Sequence, residues 1–147
     1  MIDGLEGGLV QSLAVAAALT FASFAVHAAF ISTGAVVVRG AVQGRGPFRF
    51  VRETAIIFVL GILLVTAHAL TIGLWGLAFE ALMPFATLEE TVYFTAASYT
   101  TLGYGDLLPA PEWSLLAGAV AANGLLLFGF SAAFMFDAYI RLHIARW

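Results

Sequence analysis

The sequence predicts an all-α integral membrane protein with three transmembrane helices and one short helix that enters the membrane and turns back. Three observations predict it. The chain of 147 residues is 62% hydrophobic and 10% charged, with a mean hydropathy of +0.99, whereas soluble domains run about 45–50% apolar and about 25% charged. Three apolar runs, at 9–38, 54–83 and 113–138, each exceed the ~20 helical residues that cross a hydrocarbon core. Between the second and third lies a helical stretch too short to span, followed by a loop carrying Gly103 and Gly105. This length suits one membrane domain of a few spans and leaves no room for a cytosolic ligand-binding domain. The absence of cysteine excludes disulfides, thiolate metal sites and thiol redox chemistry.

The first run, within an N-terminal segment 1–38, is rich in Ala and Ser with Phe21, Phe24 and Phe30 among them. Small residues let helices approach closely in lipid, so it reads as a packing helix outside the rest. Asp3 and Glu6 stand where a secretory signal would be basic, and the run is too long for one. His27 inside it reads as a proton or ligand sensor, or more blandly as a neutral histidine bonded to a neighbouring helix.

Residues 39–53 read as a loop broken by Gly40, Gly44, Gly46 and Pro47, and contain Arg39, Arg45, Arg49 and Arg52. The remaining basic residues, Arg141 and Arg146, lie in a short tail, 141–147. The positive-inside rule puts both segments in the cytoplasm and the amino terminus outside. The connection between the second and third runs is then outside, and its charges, Glu80, Glu89, Glu90, Asp106 and Glu112, are all acidic. The alternation of Phe and Arg over 47–53 suits a short interfacial collar or an ordinary juxtamembrane anchor. The arginines are not spaced every third residue within a span, as a voltage sensor requires.

The second run ends before Pro84, with Trp75 near its outer end and Thr66, His68 and Thr71 as its polar interior. His68 is expected to face a helix neighbour. Thr87-Leu88-Glu89-Glu90 is a capping-box pattern with Thr87 at N-cap and Glu90 at N3, starting a helix over 87–99. Its carboxyl end carries roughly half a negative charge, which favours a cation. The loop Thr100-Thr101-Leu102-Gly103-Tyr104-Gly105-Asp106 follows. Glycine at 103 and 105 permits φ > 0, so successive carbonyls can face one side, with the Thr101 hydroxyl at the inner end of the row. A ring of such oxygens replaces the water shell of a monovalent cation. Irregular backbone at membrane depth must be buried in protein or line water, so copies of the chain are expected to enclose it.

Thr101-Leu102-Gly103-Tyr104-Gly105-Asp106 resembles the selectivity-filter signature of potassium channels, with Leu102 where Val or Ile is commoner. The resemblance covers 54–140 as a pore domain of prokaryotic type: outer helix 54–83, pore helix 87–99, filter 100–106 and inner helix 113–138, with an additional N-terminal helix. It implies a homotetramer with one axial pore, K⁺ as permeant ligand at residues 101–105, and no other cofactor. It also implies that Asp106 braces the filter from behind. The facing position is Tyr93, a hydroxyl in place of an indole N–H, and Ala97 stands where many relatives carry a buried Glu. Thr100, Tyr93 and Asp106 are the expected filter supports. Tyr104 is expected to pack between pore helices.

Pro109 to Trp113 forms a stiff turn into the inner helix. Gly124 either bends that helix or allows close packing. Asn123, Leu127, Phe130 and Phe134 share one face. If that face is axial, Asn123 lines a cavity and the phenylalanines form a dewetting gate. Rotated by one residue, Asn123 bonds to the pore helix instead. Asp137 and Arg141 suit an i, i+4 pair or an inner-mouth charge.

The functional reading is a potassium-selective channel conducting passively. A weakly selective cation channel and a non-conducting membrane scaffold or partner subunit are the alternatives. An enzyme is not expected, because no metal-ligand cluster or nucleophile–base pair stands out. Expected partners are further copies of the chain, membrane lipids and an unidentified regulatory subunit, with no nucleic acid. The expected location is the bacterial inner membrane.

Overall fold

The structure, a computed structural model, describes residues 2–42, 48–83, 85 and 87–143, with side chains from residue 8 onward. Four α-helices follow one another: α1 (Ile2–Val42), α2 (Arg49–Leu82), α3 (Leu88–Tyr99) and α4 (Ser114–His143). A 3-10 turn, Pro111–Trp113, leads into α4. Three helical stretches, Gly8–Val42, Arg49–Leu82 and Pro111–His143, are long and apolar enough to cross a membrane. The protein is an all-α membrane-spanning bundle, as its composition predicts.

Helices α1 and α4 run the same way and α2 runs against them. At one end Ser12 of α1 donates to the Glu112 carbonyl just ahead of α4. At the other, Val38, Leu60, Ala138 and Leu142 form a small apolar core. The larger core lies around α3, where Trp75, Phe79, Phe94, Tyr99, Leu116 and Leu127 pack together. Short α3 thus fills the space that the three long helices leave at one end. Only 17%, 22% and 28% of the most apolar windows of the three spans are buried within the chain. The rest is left for lipid or for further copies of the protein.

Several boundaries differ from the sequence reading. Helix α1 continues through Gly40 to Val42, so Arg39 lies in its last turn rather than in a loop. Helix α2 begins at Arg49, so 49–53 is helical and continuous with the second apolar run. The reason is Glu53, which is buried. It accepts from Arg49 Nε at 2.7 Å and lies 3.6 Å from His143 Nε2. That contact also holds α4 in helix past 138, up to His143, together with the Arg141–Asp137 pair at 2.6 Å. The side chains of Asp3 and Glu6, and residues Gly44, Arg45, Gly46, Pro47, Pro84 and Arg146, lie outside the described residues.

Candidate functional site

Helix α3 aims the site. Thr87 caps it, accepting the Glu90 amide at 3.2 Å, and Glu89 and Glu90 sit in the first turn, where a negative charge complements the helix dipole. Thr91 ties α3 to α2 by donating to Glu80 Oε2 at 2.6 Å. At the other end the helix unwinds into the loop. Thr101 N–H bonds to the Ser98 carbonyl at 3.0 Å, while Leu102 N–H at 2.9 Å and Gly103 N–H at 3.2 Å both turn back to the Ala97 carbonyl.

That turning back orients the loop. In a trans peptide the carbonyl points opposite to the amide that follows it. With the amides of Leu102 and Gly103 directed at the helix end, the carbonyls of Thr101 and Leu102 point away from it. Positive φ recurs at every second residue, at Thr101 (58°), Gly103 (52°) and Gly105 (78°). The glycines take this conformation without penalty. Thr101 takes it against its side-chain preference, and it is the position that sequence reasoning missed. Residues 101–106 are all exposed on the chain.

Tyr93 and Asp106 meet at the far end of the loop. Tyr93 Oη donates to Asp106 Oδ2 at 2.8 Å, and Asp106 Oδ1 accepts the Leu107 amide at 3.1 Å. The hydrogen bond to the carboxylate raises the Tyr93 phenol above its usual range. Thr100 donates to the Ala96 carbonyl at 2.8 Å, closing the last turn of α3. Tyr104 is 71% exposed on the chain.

Behind the loop lies a buried polar group that sequence reasoning did not assemble. Tyr99, the last residue of α3, is fully buried. Its hydroxyl is 2.8 Å from His68 Nδ1 of α2, and His68 Nε2 is 3.0 Å from Ser131 Oγ of α4. Hydroxyls donate or accept, so either histidine tautomer satisfies both contacts. His68 stacks on Phe128 at a centroid distance of 4.3 Å and meets His27 of α1 edge-on at 4.6 Å. His27 Nδ1 faces the Ser23 carbonyl of its own helix at 3.2 Å and the Thr71 hydroxyl of α2 at 3.4 Å. One imidazole therefore joins the loop end of α3 to the middle of α4.

One contact sets the phase of α4. A methyl group at 124 would overlap the Tyr99 carbonyl oxygen, so Gly124 is there for close packing, and this contact fixes the rotation of α4. Asn123, Gly124 and Leu127 then turn into the chain and are buried. Phe130 meets Phe24 of α1 edge-on at 5.6 Å, and Phe134 packs over Gly34 of α1. Asn123 and Leu127 are thus turned to the interior and Phe134 is packed on α1, whereas Phe130 touches α1 and is still 55% exposed. Neither side-chain polar atom of Asn123 has a hydrogen-bond partner among the described residues. Leu125, Leu126, Gly129, Phe130, Ala132 and Phe136 are exposed along α4.

A helix pair enclosing a short re-entrant helix and an outward-facing carbonyl loop is an architecture for passing ions. Residues 62–141 match the family model described as ion channel. The chain belongs to this ion-channel family. The matched segment holds most of α2, all of α3 and the loop, and nearly all of α4, while α1 lies outside it. No curated protein and no solved structure matches the channel.

Proposed function

We propose that the protein is a potassium-selective channel in which four copies bring their 100–106 loops around one axis. The observation that carries this reading is the alternation of positive φ at 101, 103 and 105, with the amides of Leu102 and Gly103 folded back onto Ala97. It leaves the Thr101 and Leu102 carbonyl oxygens facing away from the helix end, suited to replacing part of the hydration shell of a dehydrated cation. Residues Thr101, Leu102, Gly103, Tyr104 and Gly105 supply the ion sites, and Thr100, Tyr93 and Asp106 hold the row. Exposed Leu102 (54%) and Tyr104 (71%) suit burial against neighbouring copies, because uncovered irregular backbone is not tolerated at membrane depth. Phe130 and Phe136, both exposed on α4, are the candidate apolar gate.

The arginine-bearing end, with Arg39, Arg49, Arg52 and Arg141, faces the cytoplasm of a bacterial cell under the positive-inside rule, and the acidic loop faces out. The test is ion flux through purified protein in liposomes. Potassium flux that exceeds sodium flux at least tenfold and is blocked by Ba²⁺ is expected. Equal potassium and sodium flux would leave a weakly selective cation channel. No flux from a correctly assembled tetramer would leave a membrane scaffold.

A further inference from the structure

Helices α1 and α4 do not close against each other along their whole length. Near the arginine end a cavity of about 240 Å³ opens between them, with Ile31, Ala35 and Phe134 as apolar walls and Arg39, Asp137 and Arg141 at its rim. A second cavity of about 280 Å³ shares Ile31 and continues the groove past Ala28 to Phe24 and Phe130. From the structure we infer that this groove binds an anionic phospholipid, with the phosphate at Arg39 and Arg141 and one acyl chain along the apolar walls.

Charge favours this occupant. Asp137 takes the Nε edge of Arg141 at 2.6 Å, so one carboxylate faces two guanidinium groups and the rim keeps one net positive charge. Arg39 has no hydrogen bond or ion pair among the described residues. Guanidinium is the side chain best matched to a phosphate, which it grips through paired N–H donors. Basic pockets between transmembrane helices near a membrane surface take anionic head groups for this reason.

Dimensions favour a lipid over a free anion. Phe24 and Arg39 stand about 22 Å apart along α1 at the helical rise. One leaflet contributes roughly 15 Å of hydrocarbon and several ångströms of head-group region. The groove therefore matches one lipid lying upright, head at the rim. A soluble phosphate would use the rim and leave the apolar part of the groove empty. A second copy of the chain is a poorer fit. Copies inserted in the same sense carry Glu89, Glu90, Asp106 and Glu112 at the opposite end of the bundle. At the rim they would bring mainly further arginines. One wall of the groove, α1, lies outside the family match, and the other, α4, lies within it.

The test is native mass spectrometry of the full-length protein after detergent exchange with phosphatidylglycerol or phosphatidylcholine. We expect phosphatidylglycerol to be retained at least tenfold more than phosphatidylcholine. The double variant Arg39→Gln/Arg141→Gln should lose that preference, and Arg39→Lys/Arg141→Lys should keep part of it. Ala35→Trp fills the groove with both arginines intact and should also lower phosphatidylglycerol retention at least tenfold. A hundredfold excess of glycerol phosphate should not displace the lipid. Equal retention of the two lipids, wild-type retention by the Arg→Gln pair, or undiminished retention by Ala35→Trp would each overturn the inference. Displacement by glycerol phosphate would overturn it in favour of a free-anion site. Efficient crosslinking between copies through Ile31→Cys would overturn it in favour of a second copy.

Discussion

The two sides of the loop from Thr100 to Asp106 differ in kind. Behind it, Tyr99 is fully buried, bonded to His68 and through it to Ser131, with Gly124 pressed against its carbonyl. In front, Leu102, Gly103, Tyr104 and Gly105 are exposed, and the bonds that Asp106 accepts from Tyr93 and from the Leu107 amide are the side-chain support. A single chain completes the back and leaves the front unfinished. The rear is folding, decided by contacts within the chain. The front is left open, and on the proposed reading further copies of the chain would cover it. Variants behind the loop should therefore damage the protomer, and variants in front should damage conduction while sparing it.

The largest effect is expected behind. Gly124→Ala places a methyl group on a backbone oxygen that belongs to the end of α3, and neither backbone can retreat without opening the core. Misfolding is expected, read as a collapsed elution profile and absent flux. A variant that assembles and conducts normally would refute the close contact. Next comes Gly105→Ala in front. At φ 78° an L side chain pays about 1–2 kcal/mol, and four copies would pay it at once. Potassium flux should fall more than tenfold while helix content and thermal midpoint stay near wild type. A large drop in the midpoint would erase the distinction between the two sides.

The same contrast explains what could be read in the sequence. The Thr87 cap and its Glu90 partner are three residues apart, so the start of α3 is local information. Gly103 and Gly105 advertise left-handed backbone. Thr101 adopts it too, yet nothing in a threonine announces that, because the demand comes from amides folding back to Ala97. His68 meets Tyr99 and Ser131 across 31 and 63 residues of chain, a separation about which helical periodicity is silent. The phase of α4 was unreadable because the helix is apolar nearly all round, so any face fits a hydrophobic pattern. The decision lies in one contact, Gly124 on Tyr99. The early start of α2 and late end of α4 likewise depend on Glu53 meeting Arg49 and His143, the second of them a contact between helices.

The hub behind the loop supplies a smaller effect. His68→Phe keeps the ring volume but strands the Tyr99 and Ser131 hydroxyls. A buried polar group without a partner costs about 1–3 kcal/mol, enough to lower the thermal midpoint by several degrees in a domain of this size. His68→Gln offers a donor and an acceptor and should restore part of the loss. If phenylalanine and glutamine behave alike, the imidazole contributes packing rather than hydrogen bonds, and the rear of the loop is held by shape alone.

The smallest effect lies in front, at Tyr93. Removing its hydroxyl breaks an exposed bond to Asp106 and leaves the ring in place, so the protomer should melt as before. The consequence belongs to the loop, whose outer end loses its brace. Tyr93→Phe should therefore shorten the conducting lifetime of reconstituted channels without altering their assembly. Alkaline pH offers a second reading. The bond needs the neutral phenol, and its acceptance by a carboxylate raises the Tyr93 titration above that of an ordinary tyrosine near 10. Its contribution is complete below that ordinary value and is lost as pH rises through the raised one. Wild-type lifetimes should fall toward those of Tyr93→Phe over that interval, and the variant should show no such step. An identical alkaline step in both proteins would place the titrating group elsewhere and leave Asp106 braced by its own backbone contact with Leu107.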